Sequence, residues 1–248
     1  MEEPFTENGK RFWQRDKLQD MTMKRLKEEH LLNFDPITQK QKDAFDAWDD
    51  RNHMILAGSA GTGKTFIGMY LGLEVVLDKD EPQKKLVIVR SVVPTRDMGF
   101  LPGGIEEKID TYTAPYRGIA AELFDQQNAY ELLETQGAIE FLSTSFIRGT
   151  TLDNAVILVD EMQNLTFHEL DSIITRVGRN SRIIFSGDYY QTDLNKESDK
   201  VGILKFLNIM EVMNNFTTIE FGWADIVRSD FVRDYIMTKD MVERGEIQ

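Results

Sequence analysis

The chain contains no cysteine. That absence excludes disulfide cross-links, thiolate metal sites and thiol nucleophiles together. Histidine is scarce as well: with only His30, His53 and His168 present, a histidine-rich metal centre is not expected. Long apolar runs are missing, and none approaches the roughly 18 residues of a membrane span. The opening residues Met1-Glu2-Glu3-Pro4 are acidic and lack the apolar core of a signal peptide. A soluble, cytoplasmic protein without a membrane partner is therefore expected. Positive charge is in deficit, with 29 Lys plus Arg against 42 Asp plus Glu and a net charge of −13. So acidic a surface repels phosphate backbones, and any contact with nucleic acid has to run through a local basic patch.

Against these absences stand 248 residues of ordinary globular composition, 41% hydrophobic and 29% charged. That is enough apolar material for a sizeable core in one or two domains. Residues 1–35 differ from the rest. Charges of both signs mix there with Phe12, Trp13, Leu18, Met21, Met23, Leu26 and Leu31. Arg11–Leu32 reads as a charged helix with weak apolar periodicity, an N-terminal helical extension. Asp35-Pro36 marks the break, and residues 36–248 form the main domain. There the pattern alternates between helices and short apolar strands. Ile37–Asp49, Lys64–Leu77 and Asp225–Thr238 look helical. His53–Ala57, Leu86–Arg90, Ala138–Leu142, Ala155–Val159, Arg182–Ser186 and Thr217–Phe221 look like strands. Continuous β-branched runs separated by helices predict an α/β fold, a parallel sheet covered by helices on both faces. Pro94–Tyr116, rich in Pro and Gly, reads as a long irregular insertion.

The most specific signal is Gly58-Ser59-Ala60-Gly61-Thr62-Gly63-Lys64-Thr65, which fits G-x-x-x-x-G-K-[ST] at every fixed position. An apolar strand precedes it and a helix follows. Glycines let the backbone curl so that successive N–H groups converge on one phosphate cluster at a helix N-terminus. Lys64 can reach the β- and γ-phosphates of ATP, and the Thr65 hydroxyl can hold Mg²⁺. Such a loop needs a metal-holding carboxylate at the end of another strand. Asp160-Glu161 follows the AVILV strand directly, which makes Asp160 the Mg²⁺ holder and Glu161 the general base for the attacking water. Beyond the strand Arg182–Ser186, Gln191 can contact the γ-phosphate or its water.

These elements together resemble the motifs of superfamily 1 helicases. The match narrows at Gly99-Phe100-Leu101-Pro102-Gly103, Glu107-Lys108, Pro115-Tyr116, Ile147-Arg148-Gly149-Thr150, Asp160-Glu161-Met162-Gln163 and Ile226-Val227-Arg228-Ser229. In this order they are similar to the PhoH family. The resemblance implies a RecA-like P-loop ATPase core linked to RNA handling and helicase-like activity. It also implies a glutamine motif in which Gln41 reads the adenine edge.

A helicase of that superfamily has two cores with ATP between them, whereas this sequence carries motifs for one. The arginine that stabilises the γ-phosphate is then expected from a neighbour in a homo-oligomeric ring, Arg228 first and Arg148 second. For single-stranded RNA or DNA the candidates are Arg96, Lys108, Tyr112 and Arg117, with Arg90, Phe100 and Tyr116 close by in sequence. Basic groups would track phosphates and aromatics would stack bases. The rival expectation is an ATP-driven oligomeric switch with a protein partner. A small-molecule kinase fits less well, since no second phosphate site is readable.

Overall fold

The computed structural model describes residues 25–92, 105–147, 149–188 and 197–247. Six strands form one sheet: β1 His53–Gly58, β2 Lys85–Arg90, β3 Ile139–Ser143, β4 Ala155–Val159, β5 Arg182–Gly187 and β6 Phe216–Phe221. Every pairing is parallel, in the order β3-β2-β4-β5-β1-β6. The predicted strands are all present, each within a residue or so at either end. The physical reason is visible in β4, where side chains alternate between two buried faces. Val156 and Leu158 join one core cluster; Ala155, Ile157 and Val159 join the other. A strand covered on both sides has no solvated face, so it reads as an unbroken apolar run. Each such side chain contributes about 1.5–3 kcal/mol on burial.

One face is covered by α1 Gln39–Asp49, α2 Lys64–Leu77, α3 Ile105–Phe124 and α4 Ala129–Thr135. The other carries α5 Phe167–Ile174 and α6 Glu197–Val212. A last helix, α7 Asp230–Glu243, follows β6 after a 3-10 turn at Trp223–Asp225. All six strands end their carboxyl termini on one rim, where the phosphate loop and the acidic pair lie.

Three expectations change. The insertion is helical from Ile105 onward, with Pro115 inside α3. Its inner face, including Tyr116, Ala120 and Leu123, is buried against the sheet, and that packing overrides the loss of one helical hydrogen bond at proline. The charged helix expected to reach Leu32 does not exist over residues 25–32. Only a 3-10 turn at Glu28–His30 is helical there. Leu26 N–H donates to the Gln136 side chain (2.9 Å) and Leu32 N–H to the Leu123 carbonyl (2.9 Å), while the Leu26 side chain is buried in the core. Backbone donors taken up by the domain cannot also close helical turns. Finally, no helix begins at Asp225, so Arg228 sits in a connecting loop before α7. Among the described residues no helix is long and apolar enough to cross a membrane.

Candidate active site

β1 runs into the phosphate loop, and two backbone constraints close it. Gly58 has φ +116°, and a Cβ there would lie 2.1 Å from the Phe221 carbonyl oxygen. Only glycine permits this approach of the loop to β6, which the Ser59 N–H to Phe221 O bond (3.1 Å) completes. Farther along, the Val227 N–H donates to the Gly61 carbonyl (3.0 Å). Lys64 opens α2 and turns its ammonium back into the loop, onto the carbonyls of Gly58 (2.8 Å) and Ser59 (2.7 Å). Burial pushes this ammonium below the usual lysine range, against the pull of Asp188, Glu161 and Asp160.

The Thr65 hydroxyl, one residue on, donates to Asp160 Oδ1 at 2.9 Å. The strand ends thus bring together two groups 95 residues apart in sequence. Asp160 is buried, and its backbone N–H bonds the Val89 carbonyl (2.9 Å). Its second oxygen accepts a hydrogen bond from the Tyr116 hydroxyl at 2.8 Å. Burial pushes the Asp160 carboxyl above the usual range, and the neighbouring Glu161 charge adds to this. Hydrogen bonds from Tyr116 and Thr65 and the charge of Arg90 oppose it. A desolvated carboxylate beside a hydroxyl suits a divalent cation. Mg²⁺ typically takes one or two carboxylates and fills its shell with waters and substrate phosphates. The described residues contain no cluster of three His, Cys, Asp or Glu side chains that could hold a metal by themselves. The donor set therefore fits Mg²⁺ that arrives with a nucleotide.

Glu161 has a left-handed backbone, φ 53° and ψ 44°, a conformation that costs non-glycine residues of order 1–3 kcal/mol and clusters at functional sites. Its carboxylate accepts from the Gln163 amide, whose oxygen in turn accepts the Asp188 N–H (3.1 Å). Gln163 thus spans from the end of β4 to the end of β5. Sequence pattern does not single out this bridge, although Gln163 belongs to the acidic segment that carries the family resemblance. The Tyr116–Asp160 bond escapes sequence reading as well, because 44 residues separate its members.

One cleft of about 1130 Å³ gathers Gln41, Gly61, Gly63, Lys64, Thr65, Asp160, Glu161 and Arg228. Gln41 is buried, with its oxygen accepting the Ile37 N–H (2.9 Å) and its nitrogen donating to the Thr62 carbonyl (3.2 Å). The second of these bonds braces the phosphate loop from the wall of the cleft. Arg228 lies in its own chain's cleft, and a Cβ on Gly61 would lie 3.0 Å from the Arg228 Cγ. The Val227–Gly61 bond ties the segment carrying Arg228 to the phosphate loop. Of the nucleic-acid candidates, Tyr112 lies with its ring 5.9 Å from the Arg90 guanidinium. Arg117 is ion-paired to Asp110 (2.8 Å) and Glu131 (3.5 Å). Arg96, Arg148 and Gln191 lie outside the described residues, as does the side chain of Lys108.

β5 separates the phosphate-loop strand β1 from the acidic strand β4. A phosphate loop, a buried carboxylate two strands away and a third strand between them define a RecA-like P-loop fold. Residues 33–240 match the family model for PhoH-like proteins, and the chain belongs to the PhoH family. It is 31% identical over 202 residues to a PhoH-like protein of Mycobacterium leprae, covering 81% of this chain and 57% of that one. It is 32% identical over 185 residues to the PhoH protein of Escherichia coli, covering 74% of this chain and 51% of that one. The chain thus spans little more than half the length of these relatives. Among solved structures, the large terminase of a thermophilic bacteriophage in complex with ADP aligns at TM-score 0.45 and 15% identity, over 81% of this chain and 49% of that one. A Bacteroides Pif1 helicase bound to ADP-AlF3 and single-stranded DNA aligns at TM-score 0.39 and 15% identity, over 85% and 49%.

Proposed function

We propose that this chain is a Mg²⁺-dependent ATP hydrolase whose turnover is coupled to single-stranded nucleic acid, RNA foremost. The observation that carries the hydrolytic half is the convergence of Lys64, Thr65, Asp160 and Glu161 in one cleft, with Thr65 and Asp160 already in contact. The phosphate-loop N–H groups bind the β-phosphate, and Lys64 exchanges its two carbonyl partners for phosphate oxygens. Thr65 and Asp160 would hold Mg²⁺, which would supply charge neutralisation at the phosphates. Glu161 orients a water and takes its proton as the water oxygen bonds to the γ-phosphorus. The bond from that phosphorus to the β–γ bridging oxygen breaks, leaving ADP and inorganic phosphate. Arg228 stabilises the charge on the γ-phosphoryl group from within its own chain, a contribution of about 10³–10⁵ in rate where an arginine finger acts.

The coupling half rests on family membership and on the candidates Arg96, Lys108 and Tyr112. Phosphate release measured with and without single-stranded RNA, single-stranded DNA and duplex tests it. Single strands should raise the rate, RNA most. If none does, the nucleic-acid half falls and the hydrolytic half stands.

A second reading, an ATP-driven oligomeric switch acting on a protein, has specific support. Arg117 is neutralised by two carboxylates. The net charge is −13. Helix α6 exposes Val201, Leu204, Ile209 and Val212 along one face.

A further inference from the structure

Helix α3 meets the catalytic rim at two tyrosines one turn apart. Tyr112 faces the Arg90 guanidinium (5.9 Å) and Tyr116 reaches Asp160 (2.8 Å). Residues at i and i+4 share one helix face, so a single face of α3 contacts the ends of both β2 and β4. Tyr116 is fully buried, with its ring 6.0 Å from that of Phe141. A buried tyrosine hydroxyl needs a hydrogen-bond partner; here it donates to the carboxylate facing Thr65 and accepts from the Arg90 guanidinium. Each Asp160 oxygen thereby has one fixed donor, Thr65 on one side and Tyr116 on the other. The backbone of Asp160 is pinned to β2 through Val89. The remaining freedom is rotation of the side chain, and the Tyr116 hydroxyl removes it.

We propose that Tyr116 is a positioning residue for the metal-holding carboxylate: its hydroxyl fixes Asp160 so that the opposite oxygen is presented beside Thr65, tying α3 to the metal end of the cleft. This rests on the reading of Thr65 and Asp160 as the Mg²⁺ holders. Ligand-orienting partners of this type alter metal affinity about 10–100-fold when removed. A purely structural hydroxyl would alter stability alone.

The test is Mn²⁺ binding, followed by loss of the free-ion electron paramagnetic resonance signal in the presence of a non-hydrolysable ATP analogue. Tyr116→Phe keeps the ring and deletes one hydroxyl. It should weaken Mn²⁺ binding about 10–100-fold while the analogue binds equally well in excess chelator. Phe141→Leu loosens the packing of the same ring without touching the hydroxyl. It should lower the melting temperature and leave Mn²⁺ affinity unchanged. Unaltered Mn²⁺ affinity in Tyr116→Phe overturns the proposal, as does an equal loss in Phe141→Leu. Asp160→Asn separates the underlying reading: if it too binds Mn²⁺ normally, Asp160 is not a metal holder at all.

Discussion

Gly187 is the residue through which the Gln163 bridge can be tested from outside. A Cβ added there would stand 2.2 Å from Gln163 Oε1, 2.9 Å from Met162 Cγ and 3.0 Å from the Met162 nitrogen. Gly187→Ala must therefore displace the Gln163 amide, which currently receives the Asp188 N–H and donates to Glu161. Overpacking costs about 1–3 kcal/mol, and leaving the buried Asp188 N–H without its acceptor costs about 1–3 kcal/mol more. The expected loss is about 2–6 kcal/mol, large beside a total stability of about 5–15 kcal/mol. Urea titration reads it directly. Turnover should fall about tenfold, equivalent to about 1.4 kcal/mol, since Glu161 loses one orienting hydrogen bond. The decisive measurement is a double-mutant cycle with Gln163→Ala. Truncating the amide alone costs about 1–3 kcal/mol. In the double variant the amide is already gone, so the new methyl meets only Met162. The combined cost should undershoot the sum of the two by at least about 1 kcal/mol. If the two costs add to within about 0.5 kcal/mol, the clash is not with Gln163 and the bridge does not mediate the effect.

Lys64→Ala should abolish hydrolysis, because the β- and γ-phosphates lose their direct counter-ion; phosphate release near the wild-type rate would sink that role. Glu161→Gln should bind a fluorescent ATP analogue normally and fail to hydrolyse ATP, because an amide cannot accept the water's proton. Arg228→Ala should also bind nucleotide and lose most turnover. Mixing it with Lys64→Ala should restore nothing, whereas recovery of activity in the mixture would show that the arginine works between chains. His53 supplies a pH prediction. Its Nδ1 accepts the Ile183 N–H (3.2 Å), and burial pushes its pKa below the ordinary histidine value of 6.5. The unfolded chain then binds the proton first as pH falls, so stability present above 6.5 declines below it. Urea midpoints between neutral and mildly acidic pH should show this decline. It should flatten in His53→Asn, whose side-chain oxygen can accept the same N–H.

Legibility in the sequence depended on how local each cause was. The strands were legible because burial on both faces leaves an unbroken β-branched signature, as in Ala155–Val159. The phosphate loop was legible because its glycines and Lys64 act within one turn of chain. Asp160 and Glu161 were legible because they sit at a strand end, where the fold puts chemistry. Helix α3 was obscured by Pro115 and by the glycines before it, although burial of its inner face decides its conformation. The Tyr116–Asp160 and Gln163–Asp188 contacts join different elements, and no periodicity encodes them. Arg228 stood out as a charge at the right point of the chain, but which cleft it lines was hidden. A hydrogen bond between Val227 and Gly61, invisible in one dimension, places it in its own.

That same bond, with the one from Ser59 to Phe221, makes the phosphate loop depend on residues synthesised long after it. The loop emerges from the ribosome with residue 65, but its two backbone anchors arrive only at 221 and 227. Until then β1 has β5 on one side at most and an open edge where β6 belongs. A nascent or prematurely terminated chain therefore carries the complete nucleotide motif without a site able to close around ATP. On the proposed reading, nucleotide capture waits for β6 and the segment after it. A fragment ending at residue 215 should accordingly fail to retain ATP, even though every residue of the motif is present in it.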